Sequence, residues 1–338
     1  MAEVEVPALP QLAPWLTVVR LGDGRIDLRA TNFNYSLRQE MFVEAFNLVE
    51  PLLDGHHDVD AITRFGREFV DEAIISFLLK LLVANSCLFD ATPDLATNEI
   101  DPTHHEQTLY LSRFTARSNN MQMALKSAHV RVLGDGALAS IVIDQLVQCG
   151  VGRVSDVSLD AKADRTQRAR EVVAAGALLG VVCLDSADHQ LLNEVNEASM
   201  VSGVRWLRSV VAGPLAYLGP TVVPHQSSCY RCFDLRWQAH LLEVDSYLAY
   251  QNVARPSSEG ALLPHTSLLA ANTTLEVLRL LTGFSPPTTI GRFHEFSVTS
   301  PGSTVHSVLK LPRCPACGRS EIAREVWARD SEASFGEL

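Results

Sequence analysis

The sequence predicts an α/β protein in which a winged-helix unit is followed by a Rossmann-type domain that carries a structural zinc site. Three observations support this. A hairpin followed by helical spacing fills the first ninety or so residues, a glycine turn separates a strand-like run from a helix-like run at Gly134, and two Cys-x-x-Cys pairs lie 81 residues apart. The composition of the 338 residues, 47% hydrophobic and 20% charged, is that of a folded chain long enough for two or three domains. Lys and Arg total 28 against 39 Asp and Glu, a formal charge of −11, which leaves a nucleic-acid grip or an anionic-membrane footprint little support. No apolar run approaches the roughly 18 residues that span a bilayer. Met1 to Pro10 lacks the basic-then-apolar layout of a signal peptide, so a cytoplasmic protein is expected.

In chain order, Pro14–Arg20 and Arg25–Arg29 alternate apolar and polar side chains on either side of Gly22-Asp23-Gly24, which predicts a hairpin. A third extended piece is expected at Asn34–Leu37. Phe42, Ala45, Phe46, Val49 and Leu52 then fall at helical spacing, a short segment follows at Val59–Phe65, and Val70, Ile74, Phe77, Leu78, Leu81 and Leu82 mark an amphipathic helix. A hairpin and three helices in residues 1–90 outline a winged helix. These residues hold 14 acidic and 7 basic side chains, a net of −7 that would repel phosphate rather than release its counterions. The unit therefore reads as a protein- or peptide-docking module or a structural cap; an exposed strand edge beside an apolar helix can receive an extended peptide through its backbone. Residues 91–128 read as a linker with one or two helices, and residues 129–338 as the second domain.

Gly134-x-Gly136-x-x-Ala139 follows the predicted strand Val130–Leu133 and precedes Leu138, Ile141, Val142, Gln145 and Leu146 at helical spacing. Glycines in that context permit a tight turn and close approach of backbone to a phosphate, with helix N–H groups as donors. The same turn can also serve strand-to-helix geometry alone. A second strand is expected over Arg153–Asp160, with Asp160 placed to meet a ribose and Asp156 less well placed. Val181–Ser186 reads as a further strand, after which Asp185 or Asp188 could face a ligand at the carboxyl edge of the sheet or cap the next helix. A nicotinamide-dependent oxidoreductase is possible on this pattern, but no catalytic pair for it follows along the chain.

Cys229-Tyr230-Arg231-Cys232 and Cys314-Pro315-Ala316-Cys317-Gly318 are the most specific signal. Each pair can aim two thiolates at one point, and four thiolates close the tetrahedron of a Zn²⁺ with no open position, which makes such a site structural. Gly318 is expected to relieve the backbone where N–H groups turn toward sulfur. A redox role is the competing reading of such pairs. Cys87, Cys149 and Cys183 remain as buried thiols.

The glycine-turn βαβ unit followed by two knuckles resembles the ThiF/MoeB superfamily of ubiquitin-activating-type adenylating enzymes. Within it, Gly219-Pro220-Thr221-Val222-Val223-Pro224-His225-Gln226-Ser227-Ser228-Cys229-Tyr230-Arg231-Cys232 is similar to a stretch of the ThiF-like proteins that accompany YcaO azoline-forming cyclodehydratases. The resemblance spans essentially the whole chain. It implies that the winged helix is a RiPP recognition element, which binds the leader of a ribosomally made precursor peptide. The YcaO partner would then form thiazoline or oxazoline rings with ATP, a dehydrogenase could join the same complex, and the chain would dimerise. Two departures imply a scaffold that no longer adenylates. The second strand ends Ser158-Leu159-Asp160 in place of Asp-x-Asp, and no Asn-x-x-Arg-Gln segment follows, with Arg165 and Arg168 at the wrong spacing to replace its arginine.

The resemblance places the leader as a strand at the edge formed by Asn34, Tyr35, Ser36, Leu37 and Arg38, against the helix carrying Ile74, Phe77, Leu78 and Leu81, with Arg29, Arg38 and Lys80 available to acidic leader side chains. Gly134, Gly136, Asp160 and Asp185 would be vestiges of a nucleotide site. In the alternative they surround ATP and Mg²⁺ in an active adenylating enzyme that acts on a peptide or carrier-protein carboxylate.

Overall fold

The computed structural model describes residues 5–91, 102–115, 118–159, 164–251 and 260–318. The chain divides into two compact units, Met1–Ala124 and Leu125–Leu338.

In the first unit, β1 (Pro10–Leu12) pairs with β5 (Leu88–Asp90), while β2 (Thr17–Arg20), β3 (Ile26–Ala30) and β4 (Phe33–Leu37) form an antiparallel sheet in that order. The β2–β3 turn closes through Leu21 N–H to the Arg25 carbonyl at 2.9 Å, and Gly24 supplies the positive φ of 83° that a side chain would resist. Ile26 and Leu28 of β3 face the core. Asp27 between them is also buried, and its carboxylate accepts the Ser36 hydroxyl at 2.7 Å. Three helices follow, α1 (Glu40–Val49), α2 (Val59–Gly66) and α3 (Glu72–Ala84). Asp58 and Asp71 cap the last two by accepting from Ala61 N and Ala73 N. Phe46, Val49, Ile62, Ile75, Leu78, Leu79 and Leu82 join the strand residues in one core. Truncating any of the buried leucines to alanine would cost about 2–5 kcal/mol. Helix α4 (His105–Leu111) belongs to this unit: Trp15 donates to Ser112 Oγ at 3.0 Å, and the Arg113 guanidinium lies 4.4 Å from the centre of the Trp15 ring.

Helix α5 (Ser118–Ser127) leads into the second unit, built on a seven-stranded mixed sheet. Its elements are β6 (His129–Leu133), α6 (Ala137–Gln148), β7 (Arg153–Val157), α7 (Arg165–Val172), β8 (Leu179–Leu184), α8 (His189–Ser202), β9 (Trp206–Ala212), β10 (Leu215–Val222), α9 (Tyr230–Gln238), α10 (Val244–Gln251), α11 (Leu263–Thr282), β11 (Arg292–Ser297) and β12 (Ser300–Ser307). The order is β12-β11-β10-β9-β8-β6-β7, parallel from β7 to β9 and antiparallel beyond. Strand β8 is buried along all six residues, as a parallel strand covered on both faces must be. Val181 and Cys183 join α6 and α11 on one face, while Val182 and Leu184 join α7, α8 and α9 on the other. The order reverses between β6 and β8, the place where open α/β sheets bind ligands beyond their carboxyl ends. Among the described residues, no helix is long and apolar enough to cross a membrane.

Candidate functional site

The glycine turn leaves the carboxyl end of β6 at this reversal point. Both glycines are required there by the chain itself. A Cβ on Gly134 would overlap the Cys183 carbonyl oxygen and lie 2.8 Å from Ala139 Cβ, while a Cβ on Gly136 would overlap the Asp185 carboxylate. That carboxylate, at the end of β8, accepts from Ala137 N at 2.8 Å and Leu138 N at 3.2 Å. These are the first amides of α6, the donors a phosphate would use, and an anion is already favoured there by the helix dipole. Asp185 therefore caps α6 across 48 residues of sequence. Asp188 caps α8 through Leu191 N at 3.0 Å and is ion-paired with Arg165. Arg168 bonds Glu171 at 2.8 Å. Asp156 is exposed on β7, and Asp160 lies outside the described residues.

The four knuckle cysteines converge, although each pair comes from a different part of the chain. Cys229 and Cys232 open α9, while Cys314 and Cys317 lie in the turns after β12. Their sulfurs all lie within 4.8 Å of one another, with Cys229–Cys232 at 3.8 Å, Cys229–Cys314 at 3.6 Å and Cys232–Cys317 at 3.4 Å. Four sulfurs at Zn–S bonds of ~2.3 Å stand about 3.8 Å apart at tetrahedral angles, so the cluster could hold a zinc ion in a closed S₄ shell. Leu311 N donates to Cys232 Sγ at 3.4 Å, and a hydrogen bond from the Cys229 thiol lowers the pKa of the Cys232 thiol. Gly318 has a different role from the one expected: its N–H bonds the Cys314 carbonyl at 2.7 Å, and a Cβ would meet Cys314 N at 2.7 Å and the Pro312 carbonyl at 2.8 Å. The knuckle closes too tightly for any side chain.

The remaining cysteines form no disulfide. Burial pushes the Cys87 thiol up to about 12 and raises those of Cys149 and Cys183. Cys149 is only partly buried, because it is the C-cap of α6 rather than part of the core.

Strand β4 is an edge of its sheet, with β3 on one side and no strand on the other among the described residues. Arg29, Asn34 and Arg38 are exposed, and Tyr35, Ser36, Ile74 and Leu81 are half-buried. Phe77 is 53% exposed and stacks on Phe42 of α1 at 5.7 Å. Leu37 and Leu78 are placed otherwise than a peptide contact requires. They are 3% and 0% exposed and belong to the core, because strand alternation and the helix turn direct them inward.

One buried charge escapes the sequence reading. Arg208 is 4% exposed within Trp206-Leu207-Arg208-Ser209-Val210-Val211 of β9, and a lone arginine in so apolar a strand is the signal that could have found it.

No family model matches the chain, and no curated protein sequence matches it. Solved structures do. The structure of MccB from E. coli with succinimide aligns with a TM-score of 0.65 and 16% identity, covering 91% of this chain and 99% of MccB. The heterocyclase TruD aligns with a TM-score of 0.69 and 21% identity over 95% of this chain and 44% of its own. The chain has the fold of MccB and of part of TruD. A heterocyclase bound to substrate and cofactor aligns similarly, with a TM-score of 0.67 and 19% identity over 94% of this chain and 41% of that one. MccB has also been captured with ATP, and with AMPCPP and MccA.

Proposed function

We propose that the chain binds the leader of a ribosomally made precursor peptide and presents its core to a YcaO cyclodehydratase for thiazoline or oxazoline formation, without adenylating anything itself. The observation that carries this reading is the open edge of β4, in a unit that also exposes Phe77, stacked on the half-buried Phe42, and whose first 90 residues carry a net charge of −7 that disfavours nucleic acid. An incoming strand finds unpaired backbone groups for affinity and an aromatic step for selectivity. In this proposal the first unit acts as a winged-helix peptide clamp, and Arg29, Asn34, Tyr35, Ser36, Arg38, Ile74, Phe77 and Leu81 line it. Leu37 and Leu78 shape it from below.

Two further observations support the adaptor role. Asp185 already occupies the α6 amides that a nucleotide phosphate would need. The chain also aligns with 44% of the heterocyclase TruD, and the proposal assigns ring formation itself to the YcaO partner. The cysteine cluster serves as a zinc staple, and the second unit as scaffold and homodimer surface.

The test is fluorescence anisotropy with a labelled leader peptide. Phe77→Asp should abolish binding while leaving the fold intact by circular dichroism, and undiminished binding would place the peptide elsewhere.

The likeness to MccB, whose structures hold ATP and MccA, favours a second reading: an ATP-dependent adenylating enzyme acting on a peptide or carrier-protein carboxylate. Robust pyrophosphate exchange by the purified protein would replace the adaptor reading with this one.

A further inference from the structure

The residues between the paired cysteines form one wall of a cleft. Arg231 lies between Cys229 and Cys232, and Pro315 and Ala316 lie between Cys314 and Cys317. Across from them, Asn193, Asn196 and Glu197 of α8 supply polar groups, with Met200 and Val201 beside them. The cleft encloses about 580 Å³, within the ~300–1,000 Å³ usual for small-molecule sites.

Asn196 is the informative residue, because it lines the cleft and yet is only 1% exposed. Its Oδ1 accepts from Tyr230 N at 2.8 Å, which fixes the amide's orientation, since only the oxygen can face that N–H. Nδ2 is left as a donor with no partner among the described residues, and it is not sealed from solvent. A donor in so buried a residue costs free energy unless something accepts from it. Arg231 commits Nη1 to the buried Asp234 and has donors to spare. Asn193 spends its Nδ2 on the His189 carbonyl at 2.9 Å and keeps Oδ1 as an acceptor. Glu197, one helical turn further on and exposed, makes no ion pair among the described residues although it shares the cleft with Arg231. The cleft therefore carries free donors beside a cation and free acceptors beside an anion, and the two charges do not neutralise each other.

We propose that this cleft binds a small zwitterion, an amino acid or a dipeptide with an apolar side chain. Its carboxylate accepts from Asn196 Nδ2 and Arg231, its ammonium group donates to Glu197 and Asn193 Oδ1, and its side chain rests on Met200, Val201 and Pro315. A simple anion suits the site less well, because Asp234 already offsets Arg231 and Glu197 adds a further negative charge. A simple cation would leave the Asn196 donor unanswered. The site uses no residue of the β4 edge or the glycine turn, so it does not depend on whether the protein presents a peptide or adenylates one.

Calorimetric titration of the full-length protein tests this with L-leucine and with Leu-Leu, each also with its amino group acetylated or its carboxylate amidated. At least one of the two zwitterions should bind, and blocking either end should weaken it about tenfold or more, the value of a hydrogen bond to a charged group. Tighter binding of leucine identifies an amino acid as the ligand, and tighter binding of Leu-Leu a dipeptide. Asn196→Asp keeps the oxygen that faces Tyr230 N but replaces the donor with a second carboxylate oxygen, and should abolish binding. Because that variant can fail to fold, Glu197→Gln on the exposed side of α8 provides a second check. It should weaken the zwitterion about tenfold while leaving unchanged the binding that the acetylated form retains, which carries no ammonium group. No binding by either zwitterion, a blocked form that binds as tightly as its parent, or a Glu197→Gln variant that binds the zwitterion like the original would each overturn the proposal.

Discussion

The glycine turn and the cysteine cluster are both short motifs whose residue types are associated with ligands, and the structure treats them in opposite ways. At the turn, the amides of Ala137 and Leu138 are already satisfied by Asp185, and each glycine is fixed by a neighbour its missing Cβ would strike. At the cluster, four sulfurs stand at nearly the spacing a tetrahedral cation imposes, and their best partners in the chain are one another. A motif becomes a binding site only when its donors or acceptors are left for something outside the chain to satisfy.

The largest effect that could break this comparison is at the cluster. Cys229→Ser should reduce zinc, measured by plasma emission spectrometry, from one equivalent per chain to almost none. Removing a structural metal from a domain of this size should cost about 4 kcal/mol and lower Tm by about 10 °C. An unchanged Tm with zinc lost would make the cluster an ornament of the fold.

At the turn, Gly136→Ala should cost about 2 kcal/mol in urea unfolding, because its Cβ displaces the Asp185 carboxylate. Asp185→Ala alone removes a helix cap and should cost about 1 kcal/mol. The double variant sharpens the comparison. If Gly136 exists for Asp185, the two losses fall short of additivity by about 1 kcal/mol, whereas full additivity would return the glycine to some external ligand. The smallest stability effect belongs to the proposed peptide-binding surface. Phe77→Ala, on a half-exposed side chain, should change unfolding free energy by under about 0.5 kcal/mol while weakening leader binding about tenfold.

The sequence made local features legible and missed those that depend on distant partners. The hairpin around Gly24, the strand at Asn34–Leu37, the helix start at Gly136 and each of the two Cys-x-x-Cys turns follow from period, turn chemistry and spacing, all decided within a few residues. The Asp185 bonds to α6 reach across 48 residues, and no local rule chooses between capping one helix, capping the next and meeting a phosphate. The inward turn of Leu37 and Leu78 was within reach of periodicity, but which apolar positions of an amphipathic helix touch the core and which remain at its rim depends on what packs beside it. Arg208 falls in a stretch where apolar content signals a buried strand, and one charged residue does not change that signal.

The two knuckles bracket α9, α10, α11, β11 and β12 within one closed stretch of chain. Pinning the ends of so long a segment removes much of the freedom it would have on opening, so its amides should resist hydrogen exchange together rather than strand by strand. Chelation should then release β11 and β12 as a single kinetic unit, leaving the parallel strands β6 and β8 protected.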